Sequence, residues 1–216
     1  PRSTLFPYTT LFRSGRLNEV KRIPKKNFKV QHRRGIGVKT ASESPKMMLA
    51  TNTINTLMIF TSAGKMYRLK VSEIKQCGLI DKGTALGAIL TLEPNEKILY
   101  MTNMNINDKH PCITGVTKQG LVKKSDKTIF IGSTQNKRGV KCAGLNEEDN
   151  FIWFGETNGD YMILLTSDQM AIQFKLDEIN PVGKTAKGVK GIALNEKATV
   201  IQVKVGPESK KIPVQH

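Results

Sequence analysis

An all-β chain built from repeated blades is the fold this sequence predicts, and three observations predict it. A cation-glycine step recurs at Arg34-Gly35, Lys82-Gly83, Arg138-Gly139 and Lys187-Gly188, at intervals of 48, 56 and 49 residues. A polar turn precedes three of those steps, at Thr61-Ser62-Ala63-Gly64, Thr117-Lys118-Gln119-Gly120 and Thr166-Ser167-Asp168-Gln169. Short β-prone runs flank the turns, and helical spacing of apolar residues is weak. A period of about 50 residues with several short strands per unit reads as stacked blades, about four of them. A β-sandwich is the alternative that would share the strands but not the period.

The elements follow in chain order. Residues 4–14 resemble a translated sequencing-adapter primer, so residues 1–14 are set aside as artefactual. Folding is assigned to residues 15–205, and residues 206–216 to a C-terminal tail. Asn55-Thr56-Leu57-Met58-Ile59-Phe60 leads through the first turn into Lys65-Met66-Tyr67-Arg68-Leu69-Lys70, and the second turn leads into Leu121-Val122-Lys123-Lys124. Asn158-Gly159, between Phe151-Ile152-Trp153-Phe154 and Tyr161-Met162, is the strongest short hairpin signal in the chain. The third turn joins Asp160-Tyr161-Met162-Ile163-Leu164-Leu165 to Met170-Ala171-Ile172-Gln173-Phe174-Lys175, and residues 199–205 form the last run. Glycine closes the first two turns, where positive φ is free of a Cβ clash. Gln169 breaks that pattern, so the third turn is expected to differ in type or to be strained.

Charge narrows the function. The chain carries +16 formally, and the excess is concentrated: ten cations against two acids in residues 15–46 and eight against two in 104–145. Residues 47–103 carry six against four, and 146–216 eight against ten. Two basic segments of this kind suit a polyanion, whereas a merely solubilising charge would be spread. Three widely spaced cysteines, Cys77, Cys112 and Cys142, point to neither a disulfide framework nor a zinc site, which fits a reducing cytoplasm. No run is long and apolar enough for a membrane helix.

Val20-Lys21-Arg22-Ile23-Pro24, Phe28 and Gln31-His32-Arg33-Arg34-Gly35-Ile36-Gly37-Val38-Lys39 together resemble the first blade of the DNA gyrase A C-terminal domain. That family's box reads Gln-Arg-Arg-Gly-Gly-Arg-Gly; Gln31, Arg33, Gly35 and Gly37 match it, and His32, Arg34 and Ile36 do not. Met170-Ala171-Ile172-Gln173-Phe174 and residues 183–192 are similar to a late-blade pattern of the same family. The resemblance implies a β-pinwheel, a propeller-like ring of four-stranded blades that exchange strands. Six blades are usual there, so about four repeats imply an incomplete or shortened domain.

The resemblance also implies a role: binding and wrapping double-stranded DNA, and guiding a segment to the cleavage gate for ATP-dependent negative supercoiling. Partners would be the gyrase B subunit, in an A2B2 enzyme on the nucleoid, together with the N-terminal cleavage domain of the gyrase A polypeptide itself. ATP and Mg2+ would act through other domains, with no cofactor in this stretch. The equivalent domain of topoisomerase IV, which relaxes or decatenates, is the rival within the family. A propeller-like protein scaffold and an RNA-binding β domain are rivals from other classes.

Lys and Arg on loops neutralise phosphates without reading sequence, and Gly lets backbone approach them. The candidate DNA-binding residues are Lys21, Arg22, Gln31, Arg33, Arg34, Gly35, Gly37, Lys39, Lys82, Lys123, Lys124, Lys137, Arg138, Lys187 and Lys190. For Arg33 a solvated loop charge is the alternative, and for the seven from Lys82 onward it is surface solubility. Phe28, Tyr67 and Phe174 read as packing groups. Catalysis is not indicated: Gly183-Lys184-Thr185 has Glu178 where a phosphate loop needs its first glycine, and Thr40 breaks a dinucleotide fingerprint after Gly35-Ile36-Gly37. His32, His110 and His216 are isolated, and no Ser or Cys is set beside a base. By the resemblance, the DNA-cleaving tyrosine is in an upstream domain and is none of Tyr67, Tyr100 or Tyr161.

Overall fold

The structure is a computed structural model, and it describes residues 7–13, 19–37, 39, 45–104, 111–132 and 136–206. Fifteen strands occur among them. In chain order they are β1 Pro7–Arg13, β2 Glu19–Pro24, β3 Met47–Asn52, β4 Thr56–Thr61, β5 Lys65–Lys70, β6 Thr84–Ala85, β7 Ile98–Asn103 and β8 Cys112–Thr117. There follow β9 Leu121–Asp126, β10 Asn136–Lys141, β11 Phe151–Thr157, β12 Tyr161–Thr166, β13 Ala171–Lys175, β14 Val189–Lys190 and β15 Val200–Gly206. They form four sheets, ordered β3-β1-β2-β6, β10-β5-β4-β7, β11-β8-β9-β14 and β13-β12-β15. The all-β bladed expectation is met.

One rule of strand exchange accounts for the four sheets. An antiparallel hairpin forms the middle of the first three, β1-β2, β4-β5 and β8-β9, and in the fourth the hairpin β12-β13 has its second strand at the edge. The chain then leaves, and a return strand that follows the cation-glycine step directly (β6, β14) or contains it (β10) adds to the second hairpin strand of the preceding sheet. Thus β6 joins β2, β10 joins β5 and β14 joins β9. Afterwards β3, β7, β11 or β15 comes back to cover the first hairpin strand of its own sheet. Short 3-10 turns follow the second hairpin strand at the same place in every repeat, at Lys25–Asn27, Val71–Glu73, Lys127–Phe130 and Leu176–Glu178.

One sequence reading is corrected here. Asn158-Gly159 is not a hairpin turn: β11 pairs with β8 in the third sheet, while β12 pairs with β13 and β15 in the fourth. Gly159 does take positive φ, 61°, at a bend between the two strands, but a local bend does not decide pairing. Pairing is decided by which strands share a buried face. Pro7–Arg13, set aside from the fold as artefactual, form β1 and pair with β2 and β3.

The third polar turn keeps the geometry of the other two. Gly64 and Gly120 have φ of 66° and 82°, and Gln169 has φ 66°. The strained option therefore holds, at a cost of roughly 1–2 kcal/mol for a residue with a Cβ in that region.

The chain divides into two compact units. One draws on Pro1–Phe60, Met66–Met104 and Gly132–Val140, the other on Thr61–Lys65, Asn105–Ile131 and Lys141–His216. In the first, Val20, Leu57, Ile59, Tyr67, Leu69 and Leu86 pack with Ile98 and Met101. In the second, Val116, Val122, Met162, Leu164, Leu176 and Val200 form the core. The central strands that carry them are buried along most of their length, β8 throughout and β4 at all but its first residue, as expected of strands covered on both faces.

Candidate nucleic-acid interface

The box segment is a turn held by its own polar groups. Gly35 N–H donates to His32 O at 3.0 Å, and Gly37 N–H donates to Gln31 Oε1 at 2.9 Å. Gln31 is thus a brace for the loop. Arg33 and Arg34 form the corner, and every residue from 29 to 37 is exposed, as is Lys39. Guanidinium forks placed so can meet phosphate oxygens directly and in pairs of hydrogen bonds.

Elsewhere the candidates separate into two groups. Lys82, Lys137, Arg138, Lys187 and Lys190 are exposed. Lys137 Nζ lies 2.9 Å from Glu73 Oε2, and Lys187 Nζ donates to Asn146 Oδ1 at 2.8 Å. Both interactions are at the surface and exchangeable for phosphate at small cost. Arg34, Lys82, Arg138 and Lys187 occupy one position of the sequence repeat, the residue before the step's glycine, and all four side chains are exposed.

Lys21, Lys123 and Lys124 are corrected: they are only 6%, 3% and 8% exposed and point inward. Lys21 Nζ donates to Leu79 O at 2.6 Å and Asp81 O at 3.0 Å. Lys123 Nζ donates to Cys142 O at 2.6 Å and Lys184 O at 2.5 Å, and Lys124 Nζ to Leu176 O at 2.9 Å. Buried ammonium must be satisfied, and here backbone carbonyls do it. Lys21 and Lys123 are the same repeat position, three residues into the second hairpin strand. Leu79 and Lys184 each lie four residues before the return-strand glycine. These lysines are clamps that seat the incoming return strand. Burial pulls the Lys123 amine down to about 8, and its two carbonyl partners act against that by holding the charged form. Arg22 is half-buried, with Nε donating to Ile74 O at 3.1 Å, and serves the same junction.

The return-strand glycines also have a structural task. A Cβ on Gly83 would stand 2.6 Å from Val20 O, and one on Gly188 would stand 2.5 Å from Val122 O. A Cβ on Gly139 would stand 2.7 Å from the Tyr67 ring. Glycine lets these strands lie against their hosts, so phosphate approach is not what selects it there. Among the described residues no cluster of three or more metal-ligating side chains occurs, and no helix is long and apolar enough to cross a membrane.

The profile of the family described as DNA gyrase C-terminal domain, beta-propeller, matches residues 20–46, 55–102 and 160–206, more than half of the chain. The chain belongs to that gyrase C-terminal domain family. The DNA gyrase A subunit of Clostridium acetobutylicum is 34% identical over 179 residues, covering 80% of this chain and 21% of the relative. The DNA gyrase A subunit of Staphylococcus epidermidis is 32% identical over 194 residues, covering 87% and 22%. The chain spans about a fifth of the length of the curated relatives it matches. The solved C-terminal domain of DNA topoisomerase IV superposes with TM-score 0.78 at 22% identity, over 94% of this chain and 62% of that one. The solved DNA gyrase A C-terminal domain gives 0.60 at 20% identity, over 91% and 64%. The fold is the β-pinwheel of this gyrase family.

Seen as a gyrase-family box, the corner explains one departure. Arg34 has φ 80°, in the left-handed region, at the position where the family's box has glycine. Arginine there gains a cation and keeps strain. Exposed Lys75, Lys118 and Lys141 were not among the sequence candidates, because no motif marks them and charge alone does not rank one surface lysine above another.

Proposed function

We propose that this chain binds and wraps duplex DNA as part of a type IIA topoisomerase, in the manner of a gyrase A subunit. The repeat register carries the reading: one exposed cation before the glycine of each cation-glycine step, at Arg34, Lys82, Arg138 and Lys187, with Arg33 beside the first. Cations at a fixed place of successive repeats are a recurring partner for the phosphate backbone. Each phosphate met releases counterion and needs no particular base. Bending a site of 20–30 base pairs costs about 1–6 kcal/mol, which several such interactions offset.

The chain's own residues bind and orient. Strand cleavage belongs to the N-terminal domain of the gyrase A polypeptide, and ATP hydrolysis with Mg2+ to the B subunit of an A2B2 enzyme in the cytoplasm. Wrapping then presents a neighbouring segment to the gate in one chiral sense, which yields negative supercoils. A topoisomerase IV role, relaxation or decatenation, is the second reading, favoured by Arg34 and Ile36 where the box has Gly and Arg.

Titration of duplex DNA between about 50 and 200 mM salt tests the cation set. Arg33, Arg34, Lys82 and Arg138 changed together to Ala should flatten log K against log salt by roughly 0.9 for each phosphate no longer neutralised. An unchanged slope refutes their phosphate role. A Lys123→Met control should lower stability and leave the slope alone.

A further inference from the structure

The loop at residues 74–83 holds one large aliphatic side chain out in water. Lys21 Nζ, buried beneath the loop, donates to Leu79 O at 2.6 Å and to Asp81 O at 3.0 Å. The two carbonyls that flank Ile80 are thus held inward, and Ile80 stands between them 69% exposed. Cys77 is buried, and its N–H donates to Arg22 O at 2.9 Å. Asp81, the loop's one acid, is turned back on the chain, its Oδ2 accepting from Gly78 N–H at 2.6 Å. The tip is therefore fixed before any ligand arrives.

The same position recurs on the third sheet. Lys123, the counterpart of Lys21, holds Lys184 O, the counterpart of Leu79 O, and Thr185 follows as Ile80 does. Thr185 is exposed as well, so the outward placement belongs to the repeat. Of the two loops, only the one at 74–83 puts an aliphatic group there. Single exposed apolar residues are ordinary on a surface. What separates Ile80 is its setting: Lys75, Gln76 and Lys82 of the same loop are all exposed.

Lys75 and Lys82 can take phosphates and so bring the tip to a groove. The groove edges of B-DNA offer an aliphatic side chain one apolar group, the C5 methyl of thymine, which lies in the major groove. Insertion between bases from the minor groove would kink the duplex toward its major groove, away from the protein and against wrapping. We infer that Ile80 packs on thymine methyl groups in the major groove and gives this chain a preference for thymine-bearing duplex. The inference rests on the duplex-binding reading above and adds a base preference to it.

The test compares one linear duplex with the same duplex in which uracil replaces every thymine, a change that removes the methyls and leaves phosphate charge and pairing alone. Wild type should bind the thymine form about fourfold more tightly, the worth of one apolar group withdrawn from water. Ile80→Ser, with unchanged circular dichroism, should bind both forms alike and keep the wild-type slope of log K against log salt, since no charge is altered. Restoring major-groove methyls to the uracil duplex as 5-methylcytosine should recover wild-type affinity. Equal wild-type affinity for the two forms overturns the inference and leaves duplex binding standing. So does a preference that survives Ile80→Ser, or no recovery with 5-methylcytosine. Absence of duplex binding at low salt overturns the underlying reading and this one with it.

Discussion

Lysine is among the residues least often buried, yet Lys21 and Lys123 are almost wholly enclosed and hold carbonyls of the segment that leads into an incoming strand. Removing the amine leaves those carbonyls without a donor, so Lys123→Met should cost about 1–3 kcal/mol, read from urea denaturation. The pH dependence has a definite sign. With the folded value lowered to about 8 from 10.5, the unfolded chain binds more protons between the two. The contribution of Lys123 to stability therefore rises with pH across that window and falls as pH drops toward 8. Wild type should gain on Lys123→Met between pH 8 and 9.5; a constant difference contradicts the clamp's titration. Strain gives a second test: Gln169→Gly relieves a φ of 66° and should raise stability by about 1 kcal/mol, seen as a higher melting temperature. None of this was legible in the residues themselves. A lysine reads as exposed by its chemistry, and its three-residue offset from the turn gains meaning only once the return strand is in place.

Elements of local origin were the legible ones. The turns at 61–64, 117–120 and 166–169 are real, the runs beside them are hairpins, and the β-prone run at 199–205 is β15. Return strands were not legible as strands: β6 and β14 have two residues each, too few for an alternation to show. Their cation-glycine steps were visible but read as phosphate loops, because glycine's need to approach a neighbour's backbone looks the same in sequence whether the neighbour is DNA or protein. Asn158-Gly159 failed for a related reason, since exchange of strands overrides adjacency in the chain. Gly188→Ala measures the return strand's worth directly. With φ 99° and a Cβ site 2.5 Å from Val122 O, it should destabilise by more than about 2 kcal/mol. Faster amide exchange of Val189 and Lys190 should accompany the destabilisation, and normal protection there would show that β14 does not depend on the glycine.

At the scale of the whole molecule, the candidate DNA-binding set is reorganised more than it is reduced. Buried lysines hold return strands in place, while the cation before the glycine of each of those strands is exposed. The blade repeat was legible because it recurs; the division of labour within it was not, because Lys21 and Lys82 have the same side chain. The central claim is that repeated blades bend duplex around themselves, which is more than basic binding. It is tested most directly by relaxing plasmid with a nicking-closing enzyme at increasing ratios of bound chain, then removing protein and resolving topoisomers. The account predicts a linking-number distribution that moves in one direction in proportion to bound chain, and that moves less for the Arg33, Arg34, Lys82 and Arg138 variant at equal occupancy. Saturated binding with an unmoved distribution would contradict it.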